Sequence, residues 1–198
     1  MANMSNTIPI LILAAGASSR MKGEIKQLLP WGNSTLLGNA INQAKKVSNA
    51  VYVVLGANAD KILEVISINA DIIHNPNWET GMGSSISCGI KHIQKKENPK
   101  AVLIMLADQP LIDAVFLNEL IQKFINGSAE ITATIYKNKA GVPSIFDSSL
   151  FPELMNLASD VGARTIVEKH AGKTNLVDPN GKEIDIDTKE KYNQLLDK

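Results

Sequence analysis

One segment in the first part of the chain combines small residues, hydroxyls and cations, a combination that suits phosphate binding. Small residues let the backbone approach a ligand closely, whereas the Ser hydroxyls, Arg20 and Lys26 can meet phosphate oxygens. The segment is not a P-loop, because no Gly-Lys-Ser/Thr follows at the required spacing, and it lacks the three-glycine spacing of dinucleotide-binding loops. Composition alone leaves an ordinary Gly/Ser turn equally open. The segment consists of Leu13, Ala14, Ala15, Gly16, Ala17, Ser18, Ser19, Arg20 and Met21, and Lys26 follows it.

A single carboxylate follows a second apolar run and could bind a metal ion. Asp108 lies just beyond the run 101–106, and Pro110 cannot continue a central strand, so Asp108 falls at the carboxyl end of that strand. In a parallel sheet this position lies at the same edge as the first segment. Mg²⁺ is bound by few protein oxygens together with phosphates and water, so one carboxylate there suits it. The alternative is a turn residue or a helix cap before Leu111.

Two aspartates late in the sequence lie two residues apart. Asp185 and Asp187 alternate with Ile184 and Ile186, a pattern typical of a half-exposed strand, and on a strand their side chains would share one face. The alternative is a solvent-facing strand edge on which Asp187 caps the following helix. The residues alone leave both interpretations open.

A segment that contains glycine and serine follows another apolar run and opens a predicted helix. Gly81, Gly83, Ser84 and Ser85 lie at this helix start, where backbone amides and hydroxyls can bind a base, a ribose or a phosphate. The alternative is that Ser84 or Ser85 is an N-cap, which stabilises a helix by about 1 kcal/mol.

The apolar pattern predicts an α/β fold that would hold these segments at one edge of a sheet. Short apolar runs alternate with stretches of helical period, and runs this apolar are typical of strands covered on both faces. Ser34 or Thr35 and Asp113 occupy N-cap positions of two predicted helices. We therefore expect a three-layer, Rossmann-like, mostly parallel sheet flanked by helices. The predicted strands are 10–14, 50–55, 71–74, 101–106, 131–136 and, after a break at Gly141-Val142-Pro143, 184–187; the predicted late helices are 160–170 and 188–197.

The composition excludes several classes of protein. In a chain of 198 residues, 20 basic residues balance 20 acidic ones, so the basic field of a nucleic-acid-binding protein is missing. Cys88 is the only cysteine, which rules out an intrachain disulfide. The first cationic side chain, Arg20, follows the first apolar run, which disfavours a signal peptide, and that run is too short for a membrane span. We expect one cytoplasmic domain without a nucleic-acid or membrane partner.

Two of these segments resemble the motifs of a known enzyme family. The first segment with the run Lys26-Gln27-Leu28-Leu29-Pro30, and the run Ala107-Asp108-Gln109-Pro110, resemble signatures of the glycosyltransferase-A-like nucleotidyltransferases. Within that group they most resemble the molybdenum cofactor cytidylyltransferases, because the Ala-Ala-Gly version of the loop is typical of the cytidylyl branch and Ala-Gly-Gly of the guanylyl branch. Two positions depart from the family pattern: Lys22 is an extra residue before Lys26, and Ser159 stands where the family usually has glycine.

The resemblance implies a nucleotide-diphospho-sugar-transferase-like fold and the transfer of CMP from CTP to the terminal phosphate of a molybdopterin-type cofactor, with release of pyrophosphate. It implies that Arg20, Lys26 and Asp108 are catalytic, that Asp108 binds Mg²⁺ or Mn²⁺, and that Asp185 or Asp187 is a second acidic ligand, with Asp185 slightly favoured. The acceptor-binding residues that it implies are Pro143, Phe146 and Arg164. The nucleotide-binding residues that it implies are Leu13, Ala14, Ala15, Gly16, Ser18, Lys26, Gly81, Gly83, Ser84, Ser85 and Asp108.

Two rival functions stay open beside this interpretation. One is a nucleotidyltransferase that uses GTP or another phosphorylated acceptor, and the other is a non-catalytic module that binds the cofactor and delivers it to a partner enzyme. The presence of both Lys26 and Asp108 favours an enzyme. The expected partners are CTP and a molybdopterin-type cofactor, with a transient contact to a molybdoenzyme or its accessory protein. Residues up to about 136 would form the nucleotide-binding part, and residues from about 137 to 198 the acceptor side.

Overall fold

The computed structural model describes residues 7–21, 23–136 and 139–196. Its centre is one seven-stranded sheet. The strands of this sheet are β1 (Ile10–Leu13), β4 (Val51–Leu55), β5 (Asp71–His74), β6 (Ala101–Leu106), β7 (Ile131–Tyr136), β8 (Lys139–Asp147) and β9 (Thr174–Val177), and a separate hairpin pairs β2 (Pro30–Trp31) with β3 (Ser34–Thr35). The strand order is β5-β4-β1-β6-β8-β7-β9, and every strand of the sheet except β8 runs in the same direction.

Strand β1 lies in the middle of the sheet between β4 and β6 and is buried on both faces. Ile10 and Ile12 pack into one apolar cluster, whereas Leu11 and Leu13 pack into a second cluster on the other face. The two sets separate because successive side chains of a strand point to opposite faces. A strand without an exposed face has no polar positions, which explains the continuous apolar run that predicted it.

Helices cover both faces of the sheet and complete three layers. They are α1 (Leu36–Lys45), α2 (Ala59–Val65), α3 (Met82–Glu97), α4 (Ala114–Ile125), α5 (Phe151–Met155), α6 (Arg164–Lys169) and α7 (Lys189–Leu196). Helices α1, α2 and α4 pack in the cluster that contains Ile10, whereas α3, α5 and α6 pack in the cluster that contains Leu11. Thr35 and Asp113 cap α1 and α4 by accepting hydrogen bonds from backbone amides, as predicted. The three-layer α/β prediction is confirmed.

A third, smaller cluster joins the C-terminal segment to the loop that follows β1. Met21 and Leu36 pack there against Ile186 and Tyr192. The Tyr192 hydroxyl donates to the Pro30 carbonyl at 2.7 Å, and the backbone N–H of Ile186 donates to the Asp108 carbonyl at 2.9 Å. The segment before α7 is therefore held beside both the first loop and the end of β6.

The break predicted at Gly141-Val142-Pro143 is wrong, because these residues lie inside β8. The pairing of β7 with β8 shifts register between Ala133, opposite Ser144, and Thr134, opposite Gly141. The two residues between, Val142 and Pro143, are thus left out of the ladder. A proline, which has no N–H to donate, is tolerated in a strand at such a bulge. The sequence shows the proline but not the bulge that accommodates it.

Two further predictions need correction. Residues 184–187 form no strand, since the Ile186–Asp108 hydrogen bond is not continued into a ladder over the described part of the chain. The helix predicted over 160–170 begins only at Arg164, whereas the closing helix is present as α7. Within the described ranges, no helix has the length and apolar character needed to cross a membrane.

Candidate active site

A cleft of about 460 Å³ opens at the carboxyl ends of β1 and β6. Strand β1 has β4 on one side and β6 on the other, so the strand order reverses direction at β1. Open α/β sheets bind ligands at such a topological switch point. The first loop forms one wall of the cleft and the start of α3 forms another. The cleft brings together the predicted site residues Leu13, Ala14, Ala15, Gly16, Ser18, Arg20, Lys26, Gly81, Ser85, Asp108 and Asp187.

Gln27 fixes the shape of the first loop from its buried side. Its side-chain amide donates to the carbonyls of Ala14 at 2.8 Å and Gly16 at 3.1 Å. Because C=O and N–H point in opposite directions across a planar trans peptide, the next amides, of Ala15 and Ala17, face away from Gln27. Those amides can therefore meet an anion, which explains how a loop without a P-loop sequence could bind phosphates.

The Ser18 hydroxyl is engaged within the loop. It donates to the Gln27 side-chain carbonyl at 3.1 Å and accepts from the backbone N–H of Lys26 at 3.0 Å. Ser18 itself has a left-handed backbone with φ of 58°. These bonds join the two halves of the loop, so Ser18 sets the position of Lys26 as well as lining the cleft.

Lys26 lies between two carboxylates. Its Nζ is 2.5 Å from Asp108 Oδ2 and 3.6 Å from Asp187 Oδ1. The side chains of Lys26 and Asp108 are each 18% exposed, whereas that of Asp187 is 46% exposed. Shielding from water strengthens the attraction between Lys26 and Asp108 relative to that of a surface pair. The structure thus brings together three residues that lie far apart in the sequence.

Arg20 has a looser position at the rim of the same group. Its guanidinium is 3.4 Å from Asp187 Oδ1, and its side chain is 69% exposed. A long side chain that is mostly exposed is free to move towards a ligand. Arg20 is therefore placed to meet the outer part of an anion bound in the cleft.

The carboxylate oxygens next to Lys26 fit a divalent cation that is coordinated mainly by a bound nucleotide and water and only partly by the protein. Asp108 Oδ1 is buried and has no hydrogen-bond partner among the described residues, which is an unusual and costly state for a carboxylate oxygen. Asp187 adds a half-exposed carboxylate on the other side of Lys26. The described parts of the chain contain no group of three or more His, Cys, Asp or Glu side chains able to hold a metal ion. One or two carboxylates with phosphate oxygens and water is the arrangement that Mg²⁺ prefers.

Asp185 is not part of this group, although it lies only two residues from Asp187. Its carboxylate accepts hydrogen bonds from Gln109 Nε2, at 2.9 Å, and from the Tyr136 hydroxyl. Burial, reinforced by the charge of Asp108, raises the pKa of Asp185, whereas these two hydrogen bonds act in the opposite direction. Burial and the bond to Asp185 also raise the pKa of Tyr136 well above its usual range, so this phenol stays a donor at neutral pH.

Gly81 and Gly83 allow the chain around Ser159 to pack against the start of α3. Gly81 has φ of 107°, and a Cβ there would lie 2.4 Å from the carbonyl carbon of Ser159. A Cβ on Gly83 would lie 2.7 Å from the Val161 carbonyl oxygen, and the Gly83 N–H donates to the Ser159 carbonyl at 3.0 Å. Gly81 lines the cleft, whereas Gly83 lies behind it and contacts the neighbouring loop.

Ser84 and Ser85 are fixed by Asn75, which the sequence analysis did not single out. Asn75 is buried and its side-chain amide donates to Ser84 Oγ at 2.9 Å and to Ser85 Oγ at 3.0 Å. Neither serine is the N-cap of α3, because Gly81 occupies that position. Ser85 lines the cleft, whereas the Ser84 hydroxyl bonds to the carbonyls of Asn77 and Gly81 and holds the turn together.

The three predicted acceptor residues do not line the cleft. Phe146 has no exposed surface and packs in the core cluster with Leu11, so its side chain cannot contact a bound acceptor in this conformation. Pro143 is buried in β8, where its carbonyl accepts a hydrogen bond from Thr134. Arg164 is exposed at the start of α6 and pairs with Glu168 at 2.8 Å. The acceptor prediction therefore lacks support from the geometry.

Around the start of α3, four residues that the sequence analysis did not propose as ligands also line the cleft. They are Trp78, Glu79, Met82 and Asp160. The first two precede Gly81 by only a few residues, so proximity in sequence was a usable signal. Asp160 reaches the cleft through the packing of its loop on Gly81, and nothing in the sequence pattern reveals that contact.

Comparison with known proteins gives the family of this fold and site. A family model described as the MobA-like NTP transferase domain matches residues 10–174. The chain is 29% identical over 198 residues to the nicotine blue oxidoreductase of Paenarthrobacter nicotinovorans, an alignment that covers 94% of this chain and 95% of that protein. It is 33% identical over 91 residues to the molybdenum cofactor cytidylyltransferase of Escherichia coli K12, covering 45% of this chain and about half, 47%, of that enzyme.

Solved structures agree with the family model. The crystal structure of Rv0371c from Mycobacterium tuberculosis superposes with a TM-score of 0.85 at 26% identity and covers 97% of this chain and 98% of that one. A second structure of Rv0371c, a complex with manganese, superposes with a TM-score of 0.81 at 24% identity, over 96% of this chain and 98% of the other. Because the family model matches most of the residues, this chain belongs to the MobA-like NTP transferase domain family and is an enzyme of the nucleotidyltransferase class.

Proposed function

We propose that this enzyme transfers CMP from CTP to the terminal phosphate of a molybdopterin-type cofactor and releases pyrophosphate. The observation that carries the proposal is the contact of Lys26 with Asp108 beside the loop 13–16, at the carboxyl ends of two central strands. The Ala14-Ala15-Gly16 version of that loop supports CTP as the donor. The partial similarity to a molybdenum cofactor cytidylyltransferase supports the acceptor.

The first loop would bind the triphosphate. The amides of Ala15 and Ala17 face away from Gln27 and can donate to phosphate oxygens. Lys26 would exchange its contact with Asp108 for the phosphates, since a flexible ammonium with three donors can move between acceptors. Arg20 would approach from the rim, where its side chain is exposed. Together these groups hold the α-phosphate in a fixed orientation.

Asp108 and Asp187 would hold a divalent ion, Mg²⁺ or Mn²⁺, through Asp108 Oδ1 and the half-exposed carboxylate of Asp187. When bound, such an ion neutralises the negative charge that develops on the α-phosphate and on the leaving pyrophosphate. Lys26 would release Asp108 in this arrangement, so its charge would become available to the triphosphate.

The reaction forms one P–O bond and breaks one. An oxygen of the acceptor phosphate attacks the α-phosphorus in line, and the bond from the α-phosphorus to the bridging oxygen breaks, so that oxygen leaves with pyrophosphate. No general base is required, because the attacking phosphate oxygen is already anionic near neutral pH. The protein contributes orientation through the first loop and charge stabilisation through Lys26 and Arg20.

The test is pyrophosphate release from each of the four NTPs, with Mg²⁺ and with or without the molybdopterin-type cofactor. The expected result is pyrophosphate release from CTP that depends on the acceptor. Release from GTP and from no other NTP would show that the nucleotide donor is GTP and not CTP. Asp108→Ala should abolish release, and retained activity would rule out its proposed role. Asp71→Ala is the matched control, because Asp71 is an exposed aspartate that pairs with Lys96 outside the cleft.

A second candidate, an oxidoreductase, is favoured by one observation: the relative that aligns over nearly its whole length is named as one. Such an activity needs a redox donor that this chain would have to bind. The first loop lacks the three-glycine spacing of dinucleotide-binding loops, which speaks against a nicotinamide dinucleotide at that position. Oxidation of NADH or NADPH by the protein with a quinonoid dye acceptor, and no pyrophosphate from any NTP, would favour this candidate.

A further inference from the structure

A hydrogen-bonded trio behind the cleft ties together three distant parts of the chain. Asp185 Oδ1 accepts from Gln109 Nε2 at 2.9 Å, and Asp185 Oδ2 accepts from the Tyr136 hydroxyl. Gln109 follows β6, Tyr136 is the last residue of β7, and Asp185 lies in the segment before α7. Gln109 also donates to the Val142 carbonyl in β8 at 3.3 Å. None of the three trio residues lines the cleft.

Asp185 differs from Asp108 in how its oxygens are used. Both oxygens of Asp185 are occupied by protein donors, whereas Asp108 Oδ1 is buried without a partner among the described residues. To bind a cation, Asp185 would have to release a hydroxyl or an amide that is partly buried, and an unsatisfied buried donor costs about 1–3 kcal/mol. The geometry therefore favours Asp185 as a structural residue that accepts hydrogen bonds from Gln109 and Tyr136 and does not bind a cation.

The residue between the two aspartates is anchored as well. The side chain of Ile186 is fully buried against Met21 and Leu36, and its N–H donates to the Asp108 carbonyl at 2.9 Å. Consecutive Cα atoms lie about 3.8 Å apart, so the Cα of the next residue must lie within that distance of the anchored Ile186. That residue is Asp187, whose carboxylate reaches to 3.6 Å from Lys26 Nζ.

We propose that Tyr136, Gln109 and Asp185 are positioning residues that hold Asp187 against Lys26 and Asp108, so that Asp187, and not Asp185, is the second carboxylate of the cation site. This inference rests on the proposed function for the use of a metal-bound nucleotide. It also reverses the slight preference for Asp185 that was stated with the family resemblance. Residues that orient metal ligands typically change metal affinity by about 10–100-fold when they are replaced.

The experiment measures Mn²⁺ binding in the presence of α,β-methylene CTP, by the electron paramagnetic resonance signal of free Mn²⁺. Tyr136→Phe, which removes only the hydroxyl, should weaken Mn²⁺ binding about tenfold, and Asp187→Asn should weaken it further. Tyr52→Phe is the matched control, because it also removes a hydroxyl bonded to a carboxylate, that of Glu97, outside the cleft. This control should bind Mn²⁺ within about twofold of the unsubstituted protein, even if its melting temperature falls as much as that of Tyr136→Phe.

Asp185→Asn separates positioning from direct ligation. An amide can still accept one of the two hydrogen bonds, so positioning predicts a partial loss of Mn²⁺ affinity, similar to that of Tyr136→Phe. A loss as complete as that of Asp108→Asn, together with unchanged affinity in Tyr136→Phe, would make Asp185 a ligand and overturn the proposal. Because the measurement is binding, a protein that binds Mn²⁺ but releases no pyrophosphate would overturn the proposed reaction alone. Absence of Mn²⁺ binding in the unsubstituted protein would overturn both.

Discussion

The ammonium nitrogen of Lys26 lies 2.5 Å from Oδ2 of Asp108, although 82 residues separate the two in the sequence. The sheet makes this contact possible because the loop after β1 and the loop after β6 leave neighbouring strands at the same edge. In the same carboxylate, Oδ1 is buried without a partner among the described residues. Lys26 thus satisfies one oxygen of this carboxylate, whereas the other oxygen is buried and lacks a partner among the described residues.

The first prediction concerns the strength of this ion pair. Lys26→Met should lower the free energy of unfolding by about 1–3 kcal/mol, because it leaves Asp108 shielded from water without a counter-charge. Lys26→Met combined with Asp108→Asn should cost less than the sum of the single changes, with a coupling of about 1 kcal/mol or more. Urea denaturation of the four proteins measures this coupling.

The matched control for the ion pair is Lys96 with Asp71, whose side chains are 48% and 52% exposed. A surface pair of this kind should couple by about 0.2–1 kcal/mol. Equal coupling in the two cycles would mean that the Lys26–Asp108 pair is no more shielded than a surface pair.

The second prediction concerns Gln27 beneath the first loop. Gln27→Ala should destabilise the protein by about 1–3 kcal/mol, because it leaves the buried carbonyl of Ala14 without its donor and removes the hydrogen bond to the carbonyl of the more exposed Gly16. The loop should also lose its shape, so the KM for the nucleotide should rise more than kcat falls. Gln122→Ala, at an exposed position of α4, is the matched control and should change neither quantity. A normal KM in Gln27→Ala would show that the loop keeps its shape without this side chain.

The sequence predicted the parts of the fold that depend on local pattern. The strands 71–74, 101–106 and 131–136 have the predicted ends. Thr35 and Asp113 were recognisable as helix caps, since a cap is formed with residues only three positions ahead. Lys26 and Asp108 were recognisable from their motifs, and the sheet explains why two separate loops meet.

The parts that the sequence did not predict depend on contacts between distant segments. The Tyr136 hydroxyl donates a hydrogen bond to Asp185, 49 residues further along the chain, and the local sequence around either residue does not indicate this contact. Residues 184–187 alternate like a strand, but Asp185 bonds to Gln109 and Tyr136, Asp187 is half-exposed at the cleft, and a ladder partner is missing over the described residues. Phe146 was proposed as an acceptor contact from a motif, and burial, which a motif does not report, places it in the core.

The third prediction concerns Gly81 at the mouth of the cleft. Gly81→Ala should be strongly destabilising, because φ of 107° disfavours any Cβ and a Cβ would lie 2.4 Å from the backbone of Ser159. The loop that carries Asp160 would have to move, so nucleotide binding should weaken as well. Gly172→Ala is the matched control, since a Cβ there would meet no atom within 4 Å beyond its chain neighbours and its φ is ordinary. Thermal unfolding should therefore separate the two variants by several degrees, and equal melting temperatures would contradict the close packing at Gly81.

The fourth prediction concerns Ser159, one of the two positions that depart from the motifs the sequence resembles. Ser159 has φ of 59°, a left-handed conformation that costs a residue with a Cβ about 1 kcal/mol or more. Ser159→Gly should therefore raise the free energy of unfolding by up to about 1 kcal/mol, reduced by the greater freedom that glycine has in the unfolded chain. Asn180→Gly is the matched comparison: Asn180 has φ of 54°, but asparagine tolerates this conformation, so its gain should be smaller. Both variants keep the Ser159 carbonyl that accepts from Gly83, so the cleft should bind nucleotide as before. A loss of stability in Ser159→Gly would show that the serine side chain, and not only the backbone, holds this loop against α3.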